Sequence, residues 1–279
     1  MKRRNKAGWF FVLPGLLGLM IFYLIPFLDV VRRSFTNAAN GRFAGLGNYK
    51  QVLDNDAFRL AAGNTFRFVL VCLPILLALS LFLAVLLCSV RRGQILKSAY
   101  LLPLAIPAAS VVLLWQLIFD NSGVLNGALH FFHLKEKDWM HTDAAFFVLV
   151  FSYIWKNLGY DVILWMAGLK AVPESLYEAA KVDGAGAWKR FYYITCPALR
   201  PTAFTVVILS FLNSFKVFRE AYLVAGNYPQ ENIYLMQHLF NNWFSQLSVD
   251  KMAAGSVLLC FVITVCVLLL QRRWEGEVQ

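Results

Sequence analysis

The sequence predicts an all-α integral membrane protein with six transmembrane helices, and three observations carry that prediction. Hydrophobic residues make up 59% of the 279-residue chain and charged residues only 15%, with a mean hydropathy of +0.58. Soluble domains run to about 45 to 50% apolar and about 25% charged. Six apolar runs are long enough for a hydrocarbon core of about 30 Å, which takes roughly 20 helical residues to cross. The polar residues gather mainly between those runs, where water reaches them, because lipid exposure would cost each charge a few kcal/mol (about 2.5 to 3.5).

In chain order the runs cover about residues 9–31, 64–90, 98–119, 144–169, 201–224 and 252–271. The first follows Lys2, Arg3, Arg4 and Lys6 and so looks like a secretory leader. Its length exceeds the usual leader core of about 7 to 15 residues and no small-x-small site ends it, so a retained first helix is expected. External loop one, 32–63, mixes Gly and Asn with a short helix expected near Gln51 to Ala62. Pro74 should kink the second run, and Pro103 and Pro107 the third. Six runs without internal repeats, low-complexity stretches or a soluble domain read as one transmembrane domain over 1–279.

Lys and Arg set the orientation. With the N-terminus inside, the internal segments 1–8, 91–97, 170–200 and 272–279 hold 14 basic residues in 54 positions, against 8 in 83 for the external ones. Both termini are therefore expected in the cytoplasm. Arg32 and Arg33, just past the first run on the outer side, oppose the rule.

A net charge of +10 raises nucleic acid as a partner, but the basic residues sit in short clusters at span ends, as topology signals and headgroup contacts do, so no nucleic acid is expected. Cys72, Cys88, Cys260 and Cys266 fall in spans and Cys196 in an internal hairpin, which fits buried thiols and not a disulfide framework. His130, His133 and His141 share the second external loop without metal-ligand spacing. The chain has no GxxxxGK[ST] loop, GxSxG elbow or HExxH pair, so no catalysis and no cofactor of its own is expected.

Residues 178–201 form a polar island between apolar stretches. Pro173 and Glu174 suit a helix start, Glu178, Ala179 and Ala180 extend a helix toward Asp183, and Gly184, with Gly186 beside it, supplies a stop. A second helix from about Ala187 to Thr195, ended by Pro197, completes a hairpin over about 172–197. Its charges need water or a soluble partner. On these residues alone it fits a docking element and also a loop lying on the headgroups.

The spacing Glu178, Ala179, Ala180, then Gly184, Ile194 and Pro197 resembles the cytoplasmic signature of the permease subunits of binding-protein-dependent ABC importers. Cys196 stands where that family usually has Leu. The likeness extends over most of the chain and is closest to the carbohydrate branch, the maltose, multiple-sugar and glycerol-phosphate importers. It includes Phe11 to Pro14, Tyr23 to Pro26, Phe43 to Tyr49, Asn64-Thr65, Asp183 to Ala185 and Ser214 to Phe218. Gly226-Asn227-Tyr228-Pro229 departs from the family's Gly-Gly-Pro and puts the third external loop in doubt.

The resemblance implies a type I ABC importer permease fold with a coupling helix between spans four and five, in a bacterial or archaeal cell membrane. It implies that Glu178, Ala179, Ala180, Asp183, Gly184 and Ala185 meet a cytoplasmic ATPase, supported by Ile194 and Pro197. It further implies two such ATPases, which bind the ATP and Mg²⁺, an extracellular solute-binding protein, surrounding lipid, and a second permease, most simply a paralogue forming a heterodimer. The cargo would be a sugar or oligosaccharide; a non-sugar solute such as glycerol phosphate is the alternative within the family, and an ion-coupled secondary carrier the alternative outside it. Candidates for the cargo path are the span-four belt Tyr153, Trp155, Asn157 and Tyr160, near Lys156 and Asp161, and Asn213, Ser214 and Lys216 in span five, where Lys216 and Glu220 stand at pairing distance along a helix. The same residues fit interfacial anchoring, helix-helix hydrogen bonds and a structural ion pair.

Overall fold

Helix ends explain where the spans begin and stop. The computed structural model describes residues 7–89, 102–225 and 228–275, and within them leaves aside the side chains of 7, 8, 89, 108, 220, 223–225 and 275. Among the described residues the chain is helical apart from connections and a lone bridge between Thr36 and Phe43. Four helices among the described residues are long and apolar enough to cross a membrane: Trp9–Ser34, Asp56–Cys88, Ala144–Ala171 and Val249–Trp274. A pair bent by 67°, Ala187–Ala198 with Arg200–Val217, raises the number to five.

The first helix is α1 (Ala7–Leu19), a π turn (Met20–Leu24) and α2 (Ile25–Ser34). Pro26 causes the π turn: it has no N–H to donate, and its ring collides with the carbonyl four residues back. The chain widens by one residue, and Ile25 N–H bonds to Met20 O. α3 (Gly47–Leu53) is separate from α4 (Asp56–Ser89), so the expected loop helix at 51–62 is split and the second span begins eight residues before 64. Asn55 is the reason, because its side-chain oxygen caps the new helix by accepting Phe58 N–H at 3.0 Å, and Asp56 adds a negative charge at the helix start. Asn64 and Thr65 therefore lie inside α4. Pro74 does not interrupt α4. The N-terminal part of span three is outside the described residues; after Pro107 (ψ 144°) the chain resumes as α5 (Ala108–Phe119).

There follow α6 (Val124–Phe131), α7 (Ala144–Ala171), α8 (Glu174–Val182), α9 (Ala187–Arg190), a second π turn (Phe191–Thr195), α10 (Cys196–Ala198) and α11 (Arg200–Ser214). A 3₁₀ turn (Phe215–Val217), α12 (Phe218–Ala225), α13 (Met236–Ser245) and α14 (Val249–Glu275) complete the chain. Pro197 does not end the hairpin's second helix as the sequence suggested. The π turn absorbs it, with Cys196 N–H on Phe191 O, and the bend comes at Leu199. Span five is likewise interrupted by its 3₁₀ turn.

The chain divides into two compact units, Met1–Arg59 with Leu239–Leu270, and Leu60–His238 with Gln271–Gln279. In the first, the segment Phe43 to Tyr49 folds onto the end of α2. The buried Asn48 amide donates to the Ser34 and Thr36 carbonyls at 3.0 and 2.9 Å, and the Ser34 and Tyr49 hydroxyls hydrogen-bond at 2.6 Å. Gly45 takes φ +55°, a left-handed turn that glycine accepts without strain. Asp29 holds both Arg32 (2.8 Å) and Arg33 (2.6 Å), so the two arginines that oppose the charge rule share a counter-ion. The apolar faces of α1 are left bare, Phe11 at 88% exposure, as a lipid or partner-facing helix requires.

The second unit is built on α4, α7 and α11. Phe68, Cys72 and Leu76 of α4 recur every fourth residue and meet Phe146, Leu149 and Tyr153 of α7. Val162, Trp165 and Met166 meet Ala84, Leu199 and Val206 in a second cluster. Buried hydrogen bonds cross these contacts: Trp165 Nε1 donates to Ser80 Oγ at 3.0 Å and Trp115 Nε1 to Ser152 Oγ at 2.6 Å. At the Gly168 crossing of α7 with α11 a Cβ would come within 2.8 Å of Thr202 Cβ, so only glycine permits the approach. Asn64 donates to Tyr234 O at 3.0 Å and Thr65 Oγ1 accepts Met236 N–H at 3.1 Å, which fixes the segment around Tyr234 and Met236 to α4.

Candidate functional site

The polar hairpin is shaped by its turn chemistry. Pro173 is the residue before α8 and Glu174 lies in the first turn. After Val182 the helix closes by a Schellman arrangement: Gly184 N–H bonds to Lys181 O at 3.0 Å and Ala185 N–H to Ala180 O at 2.8 Å. Gly184 sits at φ +74° with no atom within 4 Å of a built Cβ, so left-handed backbone, and not crowding, demands the glycine. Gly186 is extended and precedes α9. The Tyr177 and buried Thr195 hydroxyls, 2.9 Å apart, tie the two arms.

Glu178, Ala179, Asp183 and Gly184 are exposed, Ala180 and Ala185 half-buried, so these six are brought to one solvent-facing apex; Ile194 is half-buried beneath it and Pro197 exposed. The sequence reading gave no role to four apolar neighbours. Val182 is 88% exposed and Trp188 84%, and Tyr192 and Tyr193 are also bare. The signal was legible: a run of Trp and Tyr within a charged island is what a binding surface carries and a solvated loop lacks.

A second feature lies among α7, α11 and the 3₁₀ turn. A cavity of about 200 Å³ is walled by Tyr153, Lys156 and Asn157 from α7 and by Asn213, Lys216 and Arg219, with Leu104, Ser152 and Val217. Of the path candidates, Tyr153, Asn157, Asn213 and Lys216 do come together here. Trp155, Tyr160 and Ser214 are not on this wall. Trp155 instead meets the Trp115 ring edge-on at 5.3 Å, and the Ser214 hydroxyl turns back to Phe211 O at 2.6 Å. Even Tyr153 is partly a strut, since its hydroxyl donates to Ser210 O at 2.8 Å. Lys216 Nζ donates to Asn213 Oδ1 at 2.8 Å; the Glu220 side chain, its expected partner, lies outside the described residues. Asp161 is fully buried and accepts the Ser210 hydroxyl at 2.7 Å. Lys156, beside the belt candidates in the sequence, joins them on the wall, and Arg219 is the charged wall residue that the sequence reading did not single out.

The histidines at the end of α6 and between α6 and α7 do not gather: His130 faces Glu136 at 3.4 Å and His141 faces Asp138 at 3.1 Å. Hydrogen bonds from the His141 and Met140 backbone, and from His141 itself, hold Asp138 below the usual carboxylate range. Among the described residues no group of three or more His, Cys, Asp and Glu is arranged for a metal ion.

Residues 76–276 match the family described as "binding-protein-dependent transport system inner membrane component". The chain belongs to that family. It is 30% identical to the arabinooligosaccharides transport system permease protein AraP of Bacillus subtilis (strain 168), covering 98% of this chain and 91% of AraP. It is 31% identical to the trehalose/maltose transport system permease protein MalF of Thermococcus litoralis, over 81% and 79% of the two chains. The fold matches a chain in the crystal structure of a bacterial ABC transporter involved in import of the acidic polysaccharide alginate, with a TM-score of 0.86, 20% identity and coverage of 99% and 97%. The molecule is thus a multi-pass membrane permease of an ABC importer with the type I permease fold.

Proposed function

We propose that the chain is one domain of six crossings forming half of an ATP-driven pathway for a sugar or oligosaccharide. The observation that carries the reading is the hairpin apex, where a glycine-closed turn holds Glu178 and Asp183 beside bare Val182, while Tyr192 and Tyr193 lie bare on the second arm. Carbohydrate cargo is supported by the names of AraP and MalF. In this reading the hairpin over 172–197 seats in a cleft of a cytoplasmic ATPase. Two ATPases, which supply ATP and Mg²⁺ chemistry, close together and drag the hairpins of this chain and a second permease, so the crossings rock between inward-facing and outward-facing states. A loaded extracellular binding protein delivers the cargo, in keeping with the solved alginate importer in complex with its periplasmic protein. Both termini lie in the cytoplasm of a bacterium or archaeon.

The test is uptake into proteoliposomes carrying this permease with its partner subunits. Uptake that requires ATP and the binding protein is expected. Uptake driven by a proton or sodium gradient without ATP would establish the secondary-carrier alternative and remove the hairpin's purpose. Crosslinks from a cysteine at Val182 to the ATPase are expected; labelling of that cysteine by an impermeant reagent from outside the cell would reverse the orientation.

A further inference from the structure

We propose that the cavity between α7 and α11 receives an anionic group of the cargo, a carboxylate or a phosphate ester, so that the pathway is built for acidic carbohydrate and not for neutral sugar alone. This rests on the permease reading above. Three cationic side chains, Lys156, Lys216 and Arg219, stand on one wall set of about 200 Å³, and no carboxylate among the described side chains shares it.

Position excludes the commonest explanation. Lys156 lies twelve residues from the start of α7 and fifteen from its end, which at 1.5 Å per residue is about 18 and about 22 Å. A lysine so deep does not belong to a headgroup layer, and a charge at that depth is tolerated where it faces a water-lined cavity or a partner. Asn157 and Asn213 line the same wall; Asn157 Nδ2 donates to Tyr153 O at 2.9 Å, and Lys216 is already held in place by its bond to Asn213 Oδ1. Two ammonium groups and a guanidinium on one wall, with amide side chains beside them, match the charge and hydrogen-bonding needs of a carboxylate or phosphate. Neutral hydroxyls need no such charge.

The test uses the assembled transporter in nanodiscs and follows acetylation of Lys216 and Lys156 by an amine reagent, read by mass spectrometry. Trigalacturonate and glycerol phosphate are the anionic probes and maltotriose the neutral one. At least threefold protection by an anionic probe, none by maltotriose, and its loss in Arg219→Gln are expected, with Lys216→Gln lowering protection at Lys156 as the second variant. Equal protection by maltotriose, or no protection by either anion, overturns the proposal. Protection that appears without probe on adding phosphatidylglycerol to phosphatidylcholine discs assigns the cations to lipid and overturns it too. ATP-dependent uptake is measured on the same preparation, so its absence sinks the permease reading separately from charge selectivity.

Discussion

The hairpin and the α7–α11 pair use polar and aromatic residues in opposite ways. In the hairpin, few contacts hold the shape, the Schellman turn and the Tyr177 to Thr195 bond, and most of the remaining side chains are exposed. Between α7 and α11, Tyr153, Asp161 and Ser210 are buried and bonded to one another, and Gly168 lets the helices touch. Substitution should therefore act on partner binding in the first region and on the fold in the second, since unpaired buried groups cost stability and bare surface groups do not.

The largest effect expected is Gly168→Leu. The new side chain would meet Thr202 near its backbone, where little can yield, and overpacking of this kind costs about 3 kcal/mol. The measurement is the detergent unfolding midpoint and the yield of inserted protein; an unchanged midpoint would show that the crossing is loose. Trp188→Ala comes next and belongs to the other region. Loss of an exposed aromatic anchor should weaken ATPase association by about 2 kcal/mol, roughly 30-fold, with the unfolding midpoint unmoved. If the midpoint falls and association holds, the contrast between the regions is wrong.

Much of this was readable from the chain, and the failures have physical causes. The Gly184 stop and the spacing of Glu178 to Ala180 gave the hairpin because turn chemistry is local. Asn55 was passed over as a cap, although a side-chain acceptor at a helix start is also local, and so the second span was begun late. Pro197 was read as a terminator because a proline ordinarily breaks the i to i−4 ladder; the π turns before Pro26 and Pro197 show the other outcome, in which the ladder slips by one residue. The facing of Trp155, Tyr160 and Ser214 was not legible, because a belt of polar residues on one helix does not say which neighbour each meets. That needed Trp115 and Phe211 in space.

A pH experiment tests the buried class at a third position. His238 is fully buried, accepts Leu235 N–H at Nδ1 and leaves Nε2 unpaired, with its ring against Phe218 and Tyr234. Burial lowers its pKa from 6.5 to about 4. The unfolded chain then binds the proton more readily, so stability present above pH 6.5 declines as pH falls toward 4. Between pH 7 and pH 5 the loss is about 2 kcal/mol, at about 1.4 kcal/mol per pH unit below 6.5. His238→Phe should flatten the pH dependence of the unfolding midpoint over that range.

The smallest effect separates strut from pore. Tyr153 touches both roles: it lines the cavity, yet its hydroxyl is committed to Ser210 O, one hydrogen bond away from the Ser210 hydroxyl that serves Asp161. Tyr153→Phe keeps the ring against Phe68 and removes the hydroxyl alone. The carbonyl it leaves sits in α11 and retains its helical partner position, so the loss should be near the value for a single buried hydrogen bond, about 1 kcal/mol. Uptake per folded molecule should stay within about twofold, because 1.4 kcal/mol of lost transition-state binding would already give tenfold. A tenfold fall in uptake at an unchanged unfolding midpoint would mean that the hydroxyl leaves Ser210 to meet cargo during the cycle, and that the buried region is not as fixed as its hydrogen bonds suggest.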